Sequence, residues 1–189
     1  MRRIPLRCVP LVLGVLAMPA AAAPSIVKVD LPQMVERVDG AVAGRIVEAW
    51  TTWQEPPNTI ARVYTHLRIV GEDLFTGKET VRIVSYFGGV HQGYDQRHPD
   101  MPNPEDVRVG HRVVVFHKWS PTMGGVGMEG IYASFGGIFR VEAGPKGEVV
   151  IGRGEGFAVD RSASLAELRG RVATLRAEVE SRRGGKRGG

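Results

Sequence analysis

Two stretches of this chain carry side chains that could do chemistry. The first is the polar segment after Gly88-Gly89, which holds His91, Tyr94, Asp95, His98 and Asp100 within ten residues. Imidazole and carboxylate groups together suit zinc or manganese. The spacing His-x3-Asp-x2-His matches no established ligand pattern, however, and a solvated polar loop collects the same residue types. The second is a run in which Arg62, Tyr64, His66 and Arg68 alternate with Val63, Thr65, Leu67 and Ile69. On a strand this places two cations, an aromatic ring and an imidazole on one face. Small barrels present such a face to oligonucleotides or sugars, and an ordinary outward face has the same look. Two further matches lack context. Gly125, Gly127 and Gly130 spell a dinucleotide fingerprint that leads into a strand-like run instead of a helix. Ser120 near His117 has no nucleophile-elbow setting.

The elements that must position these groups begin after a leader. Arg2, Arg3 and Arg7 precede the apolar run from Val9 to Ala17, and small residues follow at Ala20 to Ala23. This is the pattern of a secretory signal peptide over residues 1–22, too short to span a bilayer. Of the 25 basic residues, three lie in that leader and Arg182, Arg183, Lys186 and Arg187 lie in the terminal tail. The body then carries fewer basic residues than its 20 acidic ones, which argues against a nucleic-acid partner. Cys8 is the single cysteine and falls in the leader, so the mature chain has no thiolate chemistry and no disulfide.

Leu31, Met34, Val35 and Val38 recur at helical spacing, with Pro32 in the first turn. Period-two runs follow from Ala41 to Trp53, Ile60 to Val70 and Thr80 to Phe87. Gly88 to Arg108 reads as a long irregular loop. The apolar run in Val109 to His117 predicts a strand buried on both faces. Ser120 to Gly130 reads as flexible, and Ile131 to Val141 as a strand bent at Gly136-Gly137. A turn at Gly144 to Gly147 leads to a last strand, Glu148 to Ile151. Ser164 and Glu167 form a capping box that opens a helix through Val179.

The expected architecture is mainly β: a small OB-like antiparallel barrel of five to six strands, with a short N-terminal and an amphipathic C-terminal helix. Its parts are the barrel over residues 23–160, the helix over 161–183 and a disordered basic tail over 184–189.

The order of the motifs resembles a group of exported, mostly uncharacterised bacterial proteins with a barrel like that of tissue inhibitors of metalloproteinases. The matching pieces are Leu31 to Val38, Ala43-Gly44-Arg45-Ile46-Val47, Val63-Tyr64-Thr65-His66-Leu67 and Phe87-Gly88-Gly89. They continue with Val109 to Phe116 and Gly137-Ile138-Phe139-Arg140-Val141. The resemblance implies the OB-like fold. It does not carry protease inhibition, because those inhibitors chelate zinc through an N-terminal cysteine that the mature chain lacks.

The sequence therefore predicts an exported, non-enzymatic binding domain that needs no cofactor. Its expected partner is another exported protein or an anionic cell-envelope polymer, with no stable membrane insertion and a monomeric state. The candidate contacts are His91, Tyr94, Asp95, His98, Arg62, Tyr64, His66 and Arg68. A metal-binding protein or metal-dependent enzyme using the 88–108 loop is one alternative, and a structural envelope protein is the other.

Overall fold

A computed structural model describes residues 26–55 and 60–185. The leader at 1–22 and the last residues of the basic tail lie outside them. The chain is mainly β, with 44% strand against 22% helix.

Helix α1 (Leu31–Arg37) starts because the Asp30 carboxylate accepts a hydrogen bond from the Gln33 N–H at 2.9 Å. Its apolar stripe buries Leu31, Met34 and Val35. Strands β1 (Gly40–Gln54), β2 (Arg62–Asp73) and β3 (Glu79–Phe87) then form an antiparallel meander. The register of β1 shifts between Ile46 and Glu48. This bulge reverses the alternation read from the sequence. Val42 and Ile46 point into the barrel, whereas Glu48 moves to the outer face and pairs with Arg68 at 3.1 Å.

Residues 88–108 are more ordered than expected. They contain the hairpin β4 (Gly89–His91) and β5 (Tyr94–Gln96). Its two-residue turn has Gln92 at φ 48° and Gly93 at φ 85°, the positive pair that matches strand twist. Strand β6 (Arg112–Ser120) pairs with β1 on one side and with both β7 (Met128–Ile131) and β8 (Ile138–Gly144) on the other. The single strand expected from Ile131 to Val141 is thus two. A short 3-10 turn over Ser134–Gly137 separates them. Part of the glycine-rich run read as flexible is β7 itself. Strands β9 (Gly147–Val150) and β10 (Ala163–Ser164) extend the sheet beyond β8.

The barrel closes in the order β1-β2-β3-β7-β6 and back to β1. One closing pair, β3 with β7, is parallel through Ser85 and Gly130, so the barrel is mixed and not purely antiparallel. Two apolar clusters share its wall. Val113 and Val115 of β6 face inward with Val42, Ile46, Leu67, Ile69 and Val84. Val114 and Phe116 face outward onto α1 and α2 (Leu165–Gly185). The uninterrupted valine run is therefore buried on both faces, as its composition predicts. Ser164 Oγ accepts from Glu167 N at 3.0 Å, and Leu165, Leu168, Val172 and Val179 are buried. Helix α2 runs through Gly185, two residues past the boundary expected from its glycines.

Candidate functional site

One mouth of the barrel is closed by the segment that the sequence singles out. Met101 and Val107 plug it by packing on the interior cluster. The segment is held by backbone and side-chain bonds. Gly88 N donates to Val63 O at 2.7 Å, and Thr65 Oγ1 donates to Gly88 O at 2.7 Å. Thr51 Oγ1 donates to Val90 O at 3.0 Å, and Val63 N donates to Gln96 Oε1 at 2.7 Å. Beyond the hairpin, buried Asp106 pairs with Arg153 at 2.6 Å, and Arg153 lies 3.9 Å over the Phe135 ring. These bonds tie the hairpin to β1 and β2 as a platform.

The metal-like residues do not converge. His91 Nδ1 lies 3.1 Å from Thr51 Oγ1, Asp95 pairs with Arg97 at 2.7 Å, and His98 pairs with Asp100. Among the described residues, no group of three histidine, cysteine, aspartate or glutamate side chains is placed to hold a metal ion.

The strand face divides into rim and interior. Arg62 and Arg68 are exposed, but Tyr64 and His66 are only 5% and 7% exposed, so the outward row expected from β2 is half covered. The reason lies in the cross-strand register. Trp50 stands opposite His66 and stacks on it at 5.2 Å, with the rings 24° apart. Thr52 Oγ1 lies 2.8 Å from His66 Nε2, and Ser85 Oγ lies 2.7 Å from Nδ1. Burial disfavours the imidazolium and lowers the His66 pKa below its ordinary 6.5. The imidazole so held can donate to one hydroxyl and accept from the other. Ser85 is 2% exposed, whereas Thr52 at the other end of this chain is half-buried.

Exposed Arg62 and His98 and buried Tyr64 meet at half-buried Phe87, at the end of β3. Arg62 lies 5.2 Å over the Phe87 ring, His98 meets it edge-on at 5.3 Å, and Tyr64 packs at 6.0 Å. Phe87 therefore joins the two stretches that the sequence nominates separately. On the other face of β1–β2, which carries Val63, Tyr94 of the hairpin meets Trp53 edge-on at 5.2 Å, and the two are 52% and 38% exposed. Arg62 has no acidic partner among the described residues, whereas Arg68 and Arg97 each have one. Phe87 and Trp53 are contacts that sequence reasoning missed. Their signal was present as aromatic residues at strand ends, but only the register shows what they face.

The opposite mouth is polar. His117 is 2% exposed, and its Nδ1 lies 2.6 Å from Glu129 Oε1. Hydrogen bonding from His117 holds the Glu129 carboxyl below its ordinary 4.5, against the opposing effect of burial. Nearby, Arg82 reaches Asp73 at 3.7 Å.

No protein-family model, curated protein or solved structure matches this chain.

Proposed function

We propose that the chain is an exported, non-enzymatic binding domain that recognises an anionic cell-envelope polymer at the plugged mouth of the barrel. The observation that carries this reading is the exposed surface centred on Phe87. There the Arg62 guanidinium, without an acidic partner among the described residues, lies over the Phe87 ring, and exposed His98 meets the same ring edge-on. Aromatic faces stack on apolar ring faces of sugars or bases, and a free guanidinium adds a contact to carboxylate or phosphate. The fewer basic than acidic residues in the body argue for a local, sugar-backed contact over broad electrostatic capture.

The platform favours recognition over catalysis, since the Ser85–His66–Thr52 chain is stacked under Trp50. Pre-organisation is its advantage. The hairpin is already bonded to β1 and β2, so little ordering is lost on binding.

Binding of the mature protein to an array of anionic and neutral envelope glycans tests the proposal. Selective retention on anionic members is expected. Arg62→Glu should weaken it by about tenfold, corresponding to roughly 1.4 kcal/mol. Phe87→Ala should weaken retention on every member that binds. Failure of the parent protein to bind any member sinks the reading, as does binding that ignores both substitutions.

A further inference from the structure

A second interaction surface lies at the other end of β3. In an antiparallel ladder, hydrogen-bonded and non-hydrogen-bonded pairs alternate. Two bonds fix the phase here: Asp73 N donates to Lys78 O at 2.9 Å, and Gly88 N donates to Val63 O at 2.7 Å. The even-numbered residues of β3 therefore turn their backbone groups toward β2. Glu79, Val81, Ile83, Ser85 and Phe87 turn theirs away.

On that outer edge Ser85 meets Gly130 of β7, and Glu79, Val81 and Ile83 have no paired strand among the described residues. Their side chains are also uncovered. Val81 is 59% exposed and Ile83 45%, and Val70, the cross-strand neighbour of Val81, is 45% exposed. An apolar, unpaired edge is the surface that natural sheets normally blunt, and this one has no proline, lysine or bulge between Glu79 and Ile83. The missing complement consists of backbone donors and acceptors at two-residue intervals, which only an extended polypeptide supplies.

We propose that this complement is β3 of a second copy, joined antiparallel about a two-fold axis at Val81. The charges of the strand select that register. Pairing must match residues whose backbone groups face outward. Sliding by one such step in one direction sets Arg82 opposite its own counterpart. The other direction sets Lys78 opposite Arg82, and like charges directly opposite destabilise a sheet. The register centred on Val81 instead sets Arg82 opposite Thr80 and valine opposite valine. It forms about six backbone hydrogen bonds and gathers Val70, Val81 and Ile83 of both copies into one apolar strip. A two-fold contact of this kind closes on itself and stops at two copies. Helix α2 takes no part, because its apolar residues are already buried in the fold. Phe87 lies at the far end of β3, so each copy keeps its aromatic surface open, and two surfaces on one particle would bind a repeating polymer by avidity.

Sedimentation velocity of the mature chain across a concentration series tests this. A reversible monomer–dimer equilibrium is expected, with no larger species. Val81→Pro removes an outward N–H that the β2 ladder does not use, and should shift the equilibrium to monomer by at least tenfold. Ile83→Lys should do the same without touching the backbone, and decides the matter if the proline variant does not fold. A parent protein that stays monomeric, forms open-ended oligomers, or dimerises equally well with Ile83→Lys overturns the proposal. Because the readout is mass, the outcome is independent of whether the Phe87 surface binds a glycan.

Discussion

At the residue scale, one close fit joins a glycine to a buried imidazole. Gly40 pairs with His117 across β1 and β6, and a Cβ on Gly40 would lie 2.6 Å from two ring atoms of His117. His117 cannot retreat easily, since its Nδ1 is held at Glu129. Gly40→Ala should therefore destabilise the fold by about 1–3 kcal/mol through overpacking, measurable as a lower urea midpoint with an unchanged slope. Two titrating groups give the chain a pH dependence of definite sign. His66 has a folded pKa below 6.5, so the unfolded chain binds protons more readily and stability declines as pH falls below that value. Glu129 has a folded pKa below 4.5, and its contribution is complete above that value and lost as pH falls through the depressed one. His66→Asn should flatten the decline between about pH 6.5 and pH 5, whereas Glu129→Gln should flatten only the part below about pH 4.5. A parent whose urea midpoint is constant from neutral pH to about pH 5 contradicts the buried-imidazole assignment.

At the element scale, the plug formed by residues 88–108 depends on a backbone that only glycine takes readily. Gly88 and Gly89 have φ of 102° and 127°, and a Cβ on Gly89 would collide with Thr65 Oγ1. Gly89→Val should release the hairpin from Thr51 and Thr65 while β1–β3 stay paired. Limited proteolysis is expected to cut within residues 90–100 of the variant and to spare the parent. Equal resistance of the two would show that the hairpin is held by Met101 and Val107 alone. The bend at Gly88-Gly89 was legible from the sequence, as were α1, the serine cap at Ser164 and the doubly buried β6, because each is written in neighbouring residues. The bulge at Val47, the split of β7 from β8 and the parallel closure through Ser85 and Gly130 were not. They are set by partners far along the chain, and a bulge changes which side chains share a face without changing local composition. This is also why the row Arg62, Tyr64, His66 and Arg68 was read as one exposed surface. The alternation was right, but the cover from Trp50 depends on a register that β2 alone does not contain.

At the scale of the whole molecule, two apolar clusters lie on opposite sides of one wall, and the question is whether they melt together. Adjacent residues of β8 separate the cases. Ile138 packs in the barrel interior, Phe139 packs in the helix-covered cluster, and both are fully buried. Ile138→Ala should cost about 2–5 kcal/mol and Phe139→Ala about 3–5 kcal/mol. The wall they share is continuous: Val113 and Val115 of β6 serve one cluster, and Val114 and Phe116 serve the other. Losing the packing on either side unpins the same strand, which pairs with β1, β7 and β8 at once. Both variants should therefore lower a single unfolding transition, seen at the same midpoint by far-ultraviolet circular dichroism and by tryptophan fluorescence. Trp50 and Trp53 of β1 and Trp119 of β6 report on the barrel, whereas the circular dichroism signal weights the helices. If Phe139→Ala instead melted the helices first and left the tryptophan signal at the parent midpoint, the barrel would be an independent folding unit with the helices as an appendage. The continuity of β6 argues that this separation does not occur.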